Sequence, residues 1–141
     1  MKKFLFVCTG NTCRSPMAEA FFNKLAEEDG LAARAFSRGL FVPAAEPANA
    51  KAVIAAKQYG CDLAGHTATG MTIEDSQKAD KIFTMTKDQA DALKAALPDK
   101  NIATLGSGDI TDPFGGSEED YAASAKEIYQ AVEKLIEELS V

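Results

Sequence analysis

The sequence predicts an α/β fold: a three-layer sandwich with a central, mostly parallel sheet of about four strands flanked by helices. Three observations point to it. Strand-like and helix-like segments alternate along the chain. The first apolar run, residues 3–7, is nearly continuous rather than alternating, as a strand buried on both faces requires. With 141 residues, the chain is long enough to bury a core without disulfide or metal staples. Residues 1–141 are expected to form a single domain, since no repeat, low-complexity tract or linker divides them.

The elements follow in order. After the strand at 3–7 comes a loop from Cys8 to Ser15. A helix is expected from Pro16 onward, where Met17, Ala20, Phe21 and Leu25 recur at helical spacing. A short strand at 34–37 leads through a Gly/Pro/Ala-rich connection to a helix at 48–59, stopped by Gly60. A capped helix at 72–78, a strand at 81–85, a helix at 87–96 ended by Pro98 and a strand at 102–104 continue the alternation. Ser117 caps the last helix. Glu118, Glu119 and Asp120 suit its positive N-terminus, and Tyr121, Ile128, Val132, Leu135, Ile136 and Leu139 form its apolar stripe. In such a sheet, ligands bind beyond the strand C-termini, and Cys8 falls at that edge.

Charge and cysteine content narrow the function classes. A net charge of −6 argues against nonspecific binding to nucleic acid or to an anionic membrane surface. No apolar run approaches membrane-spanning length, and residues 1–7 lack the length and cleavage site of a signal peptide. Three cysteines, Cys8, Cys13 and Cys61, cannot all pair internally. Free thiols in a reducing, cytoplasmic compartment are expected, with at least one available for chemistry.

The segment Cys8-Thr9-Gly10-Asn11-Thr12-Cys13-Arg14-Ser15 places a thiol and a guanidinium at the ends of a tight turn between strand and helix. Successive backbone N–H groups in such a turn, together with a helix N-terminus, make a concave anion site, and Gly10 is expected to let the backbone turn freely. Arg14 adds a bidentate grip on two phosphate oxygens that strengthens as charge builds in a transition state. The same positive surroundings favour an ionised, nucleophilic Cys8. A lone cysteine after an apolar strand is commonly just a small core residue. The flanking strand and helix, Gly10, Asn11 and the adjacent Ser15 set this one apart.

A leaving group displaced by a thiolate needs a proton, which a carboxylic acid on a nearby loop can supply. The longest irregular stretch, 106–116, offers Asp112 within Asp112-Pro113-Phe114-Gly115-Gly116, with Phe114 able to wall a pocket. Asp109 competes with it, and an Asp-Pro pair is also a common turn initiator. Local sequence leaves that choice open.

The run Val7-Cys8-Thr9-Gly10-Asn11-Thr12-Cys13-Arg14-Ser15-Pro16-Met17-Ala18-Glu19, with the distal Asp112-Pro113-Phe114-Gly115, resembles the low molecular weight protein tyrosine phosphatases over essentially the whole chain. The resemblance promotes Asp112 over Asp109. It implies a phosphocysteine on Cys8, and phosphate bound by Arg14 and the amides of Thr9, Gly10, Asn11, Thr12, Cys13, Arg14 and Ser15. It further implies Asp112 as general acid, then base, with no metal or other cofactor. Asn11, Ser15, Ser37 and His66 would brace the loop, and Cys13 would be positioned for a reversible disulfide with Cys8 under oxidation. The implied partner is a phosphorylated protein, and the implied state a monomer.

Two departures bear on substrate. Thr12 stands where many phosphotyrosine-specific members carry a bulky aliphatic residue, and Gly115 follows Phe114 where they carry a second aromatic. Both features are similar to the bacterial protein-arginine phosphatase branch. A threonine hydroxyl can bond a guanidinium that a branched aliphatic would leave unpaired, at a cost of about 1–3 kcal/mol. Arg38 stands where relatives more often have alanine, with no role legible in sequence. Other readings are an arsenate reductase of the same fold, opposed by the lack of a cysteine partner near Cys61, and a noncatalytic phosphopeptide-binding module, which would have no use for Asp112.

Overall fold

In the computed structural model, which describes residues 1–140, the first strand is also the hub of the sheet. Strand β1 (Lys2–Cys8) pairs in parallel with β2 (Ala33–Gly39) on one side and with β3 (Lys81–Thr84) on the other. Strand β4 (Ile102–Thr104) pairs in parallel with β3, giving the order β2-β1-β3-β4. The sheet is therefore wholly parallel rather than mostly so. Its central position explains why β1 reads as one apolar run: Phe4, Leu5, Phe6, Val7 and Cys8 are all buried. The edge strand β2 instead alternates between buried and more accessible residues.

Alternation along β1 separates two cores. Phe4, Phe6 and Cys8 share one cluster with residues of α1 (Arg14–Glu28), α2 (Ala50–Lys57) and α5 (Glu118–Leu139). Leu5 and Val7 face the opposite cluster, with Ile82, Ile102 and the α4 (Lys87–Ala96) residues Ala90 and Leu93. A short helix, α3 (Ile73–Lys78), precedes β3. The first core is strongly aromatic: the ring of Phe22 lies 5.3 Å from Phe4 and 5.8 Å from Phe6, and Phe6 stacks on Phe83 at 5.7 Å. Each such buried ring contributes about 1.5–3 kcal/mol.

The chain leaves β1 for β2 on one side and returns for β3 on the other. The crevice at the C-terminal end of β1 is thus the point where strand order reverses, and ligand sites of open parallel sheets lie at such points. Cys8 closes the strand there, paired in register with Gly39.

Two expectations need correction. The first helix starts at Arg14, not Pro16, with Cys13 at the capping position, so Arg14 and Ser15 belong to its first turn. Pro16, whose missing N–H costs nothing within a first turn, marks the helix without marking its start. The helix expected at 48–59 is shorter, because Asn49 caps it by accepting from Lys51 N–H, and the chain leaves it after Lys57 toward Gly60 at φ 74°. Among the described residues, no helix is long and apolar enough to cross a membrane.

Candidate active site

Helix α1 differs from the other four at its N-terminus. Asn49, Thr72, Thr86 and Ser117 each close the start of α2, α3, α4 and α5 with a side-chain hydrogen bond, whereas Cys13 closes nothing, and no acidic residue occupies the first turn of α1. Its leading N–H groups are left for something else, and an anion is what such a terminus attracts.

The loop before α1 is held by a closed network centred on Asn11, which is fully buried. Asn11 Nδ2 donates to Ser15 Oγ (2.8 Å) and Ser37 Oγ (3.0 Å), while Oδ1 accepts from Thr69 N–H (2.9 Å). Ser37 Oγ donates onward to Glu19 Oε1 at 2.8 Å. His66 Nε2 lies 2.7 Å from Asn11 O; a carbonyl only accepts, so this nitrogen carries the proton. Asn11 adopts φ 57°, the one non-glycine residue with positive φ among those described. That corrects the expectation for Gly10, whose φ is ordinary: the left-handed residue of the turn is Asn11. Asparagine tolerates this conformation, and its three side-chain bonds hold it there.

Cys8 Sγ sits between the Asn11 amide and the Ser15 hydroxyl. Asn11 N–H points to it at 3.3 Å, and Ser15 Oγ lies 2.9 Å away. Because Ser15 Oγ already accepts from Asn11 Nδ2, its own proton is free to turn toward the sulfur. Both contacts fix the position of the sulfur at the base of the loop. Cys8 and Cys13 are both free and buried. Burial pushes the Cys13 thiol up, opposed by its hydrogen bond with Tyr121, whose hydroxyl lies 3.5 Å from Cys13 Sγ. Burial likewise raises Tyr121.

Arg14 is 5% exposed; Nη1 donates to Ile110 O at 3.1 Å, and Nη2 lies 3.5 Å from Asp112 Oδ2. Asp112 is half exposed, and its Oδ1 accepts from Phe114 N–H at 3.1 Å. Asp109 lies elsewhere, capping α4 by accepting from Lys87 N–H. The carboxylate that meets the loop is thus Asp112. A cavity of about 330 Å³ joins Cys8, Thr12, Arg14, Asp112 and Phe114. Phe114 lines it while remaining largely exposed. Among the described residues, no group of three His, Cys, Asp or Glu side chains is arranged to hold a metal ion.

Several contributors were not evident in the sequence. Gln89 Nε2 donates to Thr9 Oγ1 at 3.1 Å while its Oε1 accepts from Met85 and Thr86 N–H, tying the loop to α4. Lys51 Nζ reaches Gly116 O on the acid loop. Phe41, largely exposed, forms part of the cavity rim, in a connection without periodicity to betray it. Arg38, without a role in the sequence, pairs with Asp75 of α3 at 3.1 Å and lies over the Phe36 ring. Cys61 packs in the first core.

The chain is similar to known proteins over nearly its whole length. A protein-arginine-phosphatase from Bacillus subtilis is 34% identical over 143 residues, covering 96% of this chain and 95% of the relative. The crystal structure of a low molecular weight protein tyrosine phosphatase from T. tengcongensis superposes with a TM-score of 0.93 at 38% identity, over 98% of this chain and 99% of the other. A cysteine-to-serine mutant of the arginine phosphatase YwlE, with its active-site serine phosphorylated, superposes with a TM-score of 0.91 at 33% identity, over 97% and 95% of the two chains. Residues 3–141 match the family model described as low molecular weight phosphotyrosine protein phosphatase, and the chain belongs to that family.

Proposed function

We propose that this phosphatase hydrolyses phosphorylated side chains of proteins through a phosphocysteine on Cys8, and that phosphoarginine is its preferred substrate. The observation that carries the reading is the placing of Cys8 Sγ between Ser15 Oγ and Asn11 N–H, in a cavity it shares with Arg14 and Asp112. The phosphoryl group sits on the amides of residues 9–15 and the uncapped start of α1, with Arg14 turning from Asp112 to grip two oxygens. The thiolate attacks phosphorus in line. As the S–P bond forms, the bond to the leaving nitrogen or oxygen breaks, and that atom takes the proton of the Asp112 carboxyl. Water then attacks phosphorus, Asp112 takes its proton, and the S–P bond breaks to release phosphate and restore the thiolate.

Thr12 supports the substrate preference. Its side chain lines the cavity beside Cys13, where a hydroxyl can bond the guanidinium of phosphoarginine. Phe114 and Phe41 offer apolar walls to the substrate stem. Residues 1–141 act as one phosphatase domain and as a monomer, without a metal or other cofactor; the free thiols support a cytoplasmic place, and the net charge of −6 supports the absence of nucleic acid or membrane as partner.

The test is a side-by-side assay of matched phosphoarginine and phosphotyrosine peptides with wild type and Thr12→Ile. The wild type should favour phosphoarginine, and the variant should shift toward phosphotyrosine by roughly 10-fold in relative kcat/KM, the lower end of an unpaired polar group's cost. Unchanged relative values would dispose of the role of Thr12.

A further inference from the structure

The cavity has a second rim, formed by the connection from β2 to α2. It is fastened to the phosphate loop at both ends. Leu40 and Phe41 N–H donate to the carbonyls of Cys8 (2.9 Å) and Thr9 (3.0 Å), and Asn49 N–H donates to Thr12 O (2.9 Å). Between these points, Glu46 O accepts from Ala68 N–H at 2.7 Å, and Pro47 bridges Thr67. The backbone of Glu46 is thus fixed against the segment that carries His66. Glu46 is exposed and lines the same cavity as Cys8, Arg14 and Asp112. Among the described residues, no cation pairs with it.

Charge in this cavity is sorted by depth. Arg14 is the one cation among the described residues that line it, and it is buried. The accessible charges are the carboxylates of Asp112 and Glu46. The first has a partner in Arg14 and a place in the chemistry; the second has neither. A carboxylate beside a phosphate site repels the phosphoryl group, so Glu46 contributes nothing to holding it. The favourable partner for Glu46 is a cation carried elsewhere on the substrate. The neighbouring rim residues Phe41, Val42, Pro43 and Ala44 are apolar and suit the aliphatic stem of a long basic side chain whose charged head reaches the carboxylate.

We propose that Glu46 is a specificity-determining residue that selects phosphorylated sites flanked by lysine or arginine, the flanking cation pairing with its carboxylate while the phosphoryl group sits on the loop of residues 8–15. The inference rests on the phosphatase reading above and adds to it. The loop amides and Arg14 read only the phosphoryl group, whereas Glu46 reads the sequence around it. Acidic phosphosites are disfavoured by the same charge, so discrimination comes from attraction and repulsion together.

The experiment compares wild type, Glu46→Gln and Glu46→Lys on two phosphopeptides identical except for lysine or glutamate at the flanking positions. Wild type should favour the lysine peptide roughly five-fold in kcat/KM at low salt, mainly through KM, as expected for one exposed ion pair. Glu46→Gln should reduce the preference to under about two-fold, Glu46→Lys should reverse it, and added salt should shrink it in wild type. The same preference in all three proteins, or no reversal in Glu46→Lys, would overturn the proposal. Hydrolysis of p-nitrophenyl phosphate by wild type separates the two levels of inference, since this substrate has no flanking residues. Its absence would sink the proposed activity and this inference with it; turnover without any charge preference among the peptides would sink this inference alone.

Discussion

Replacing Asn11 by alanine should unfold the loop's support more severely than any single loop hydroxyl deletion. The side chain makes three hydrogen bonds, to Ser15 Oγ, Ser37 Oγ and Thr69 N–H, and the residue is fully buried. At about 1 kcal/mol net for each, their loss costs about 3 kcal/mol. Holding alanine at the φ of 57° seen for Asn11 adds about 1 kcal/mol, because its Cβ meets the following carbonyl without a compensating local bond. The sum, about 4 kcal/mol, is a large share of the roughly 5–15 kcal/mol that stabilises a domain. With a urea dependence of about 2 kcal/mol per molar, the unfolding midpoint should fall by about 2 M, followed by circular dichroism. Ser37→Ala loses the bond from Asn11 and the bond to Glu19 and should cost about 2 kcal/mol, or about 1 M. An Asn11→Ala midpoint within about 0.5 M of wild type, or equal to that of Ser37→Ala, would refute the view of Asn11 as the centre of the network.

Three further outcomes are expected. Cys8→Ser should abolish hydrolysis while inorganic phosphate still binds, measured by calorimetry, because the amides and Arg14 that hold the anion remain; residual turnover near wild type would remove Cys8 from the mechanism. Asp112→Ala should slow turnover of substrates with poor leaving groups roughly 100-fold, and much less for p-nitrophenyl phosphate, whose phenolate leaves readily; equal loss on both would argue against proton donation. Stability should fall above about pH 9, because burial raises the thiols of Cys13 and Cys61 from 9.0 and the phenols of Tyr121 and Tyr129 from 10.0. The folded chain keeps protons there that the unfolded chain has lost, so the full stability present at lower pH is lost as pH rises; a Tm that is flat or rising between about pH 8 and pH 10.5 would contradict this.

The strands and helices were largely legible because their signals are local. The continuous apolar run of β1 announced a central strand, and Ser117 with three acidic residues announced the start of α5. The start of α1 was missed because its cap is absent: the N–H groups that a serine or aspartate would have closed are left open, and the cue goes with the cap. Gly10 drew attention as the flexible residue by composition, yet the left-handed conformation falls on Asn11, where bonds from β2 and from the segment around Thr69 hold it.

By itself, the sequence determined the alternating α/β order, the thiol and guanidinium at the two ends of one loop, and the presence of an Asp-Pro-Phe-Gly-Gly segment far along the chain. These depend on neighbours within a few residues, where periodicity, caps and turn chemistry act. The family resemblance had singled out Asp112, Ser37 and His66; the tertiary structure supplied their contacts, Asp112 with Arg14 and Ser37 and His66 with Asn11, and it alone put Phe41 and Glu46 at the cavity mouth. Those juxtapositions follow from the parallel packing of β2 and β3 on either side of β1, which brings the loops after separate strands to one edge of the sheet. No local signal encodes which side chains will face each other across that edge.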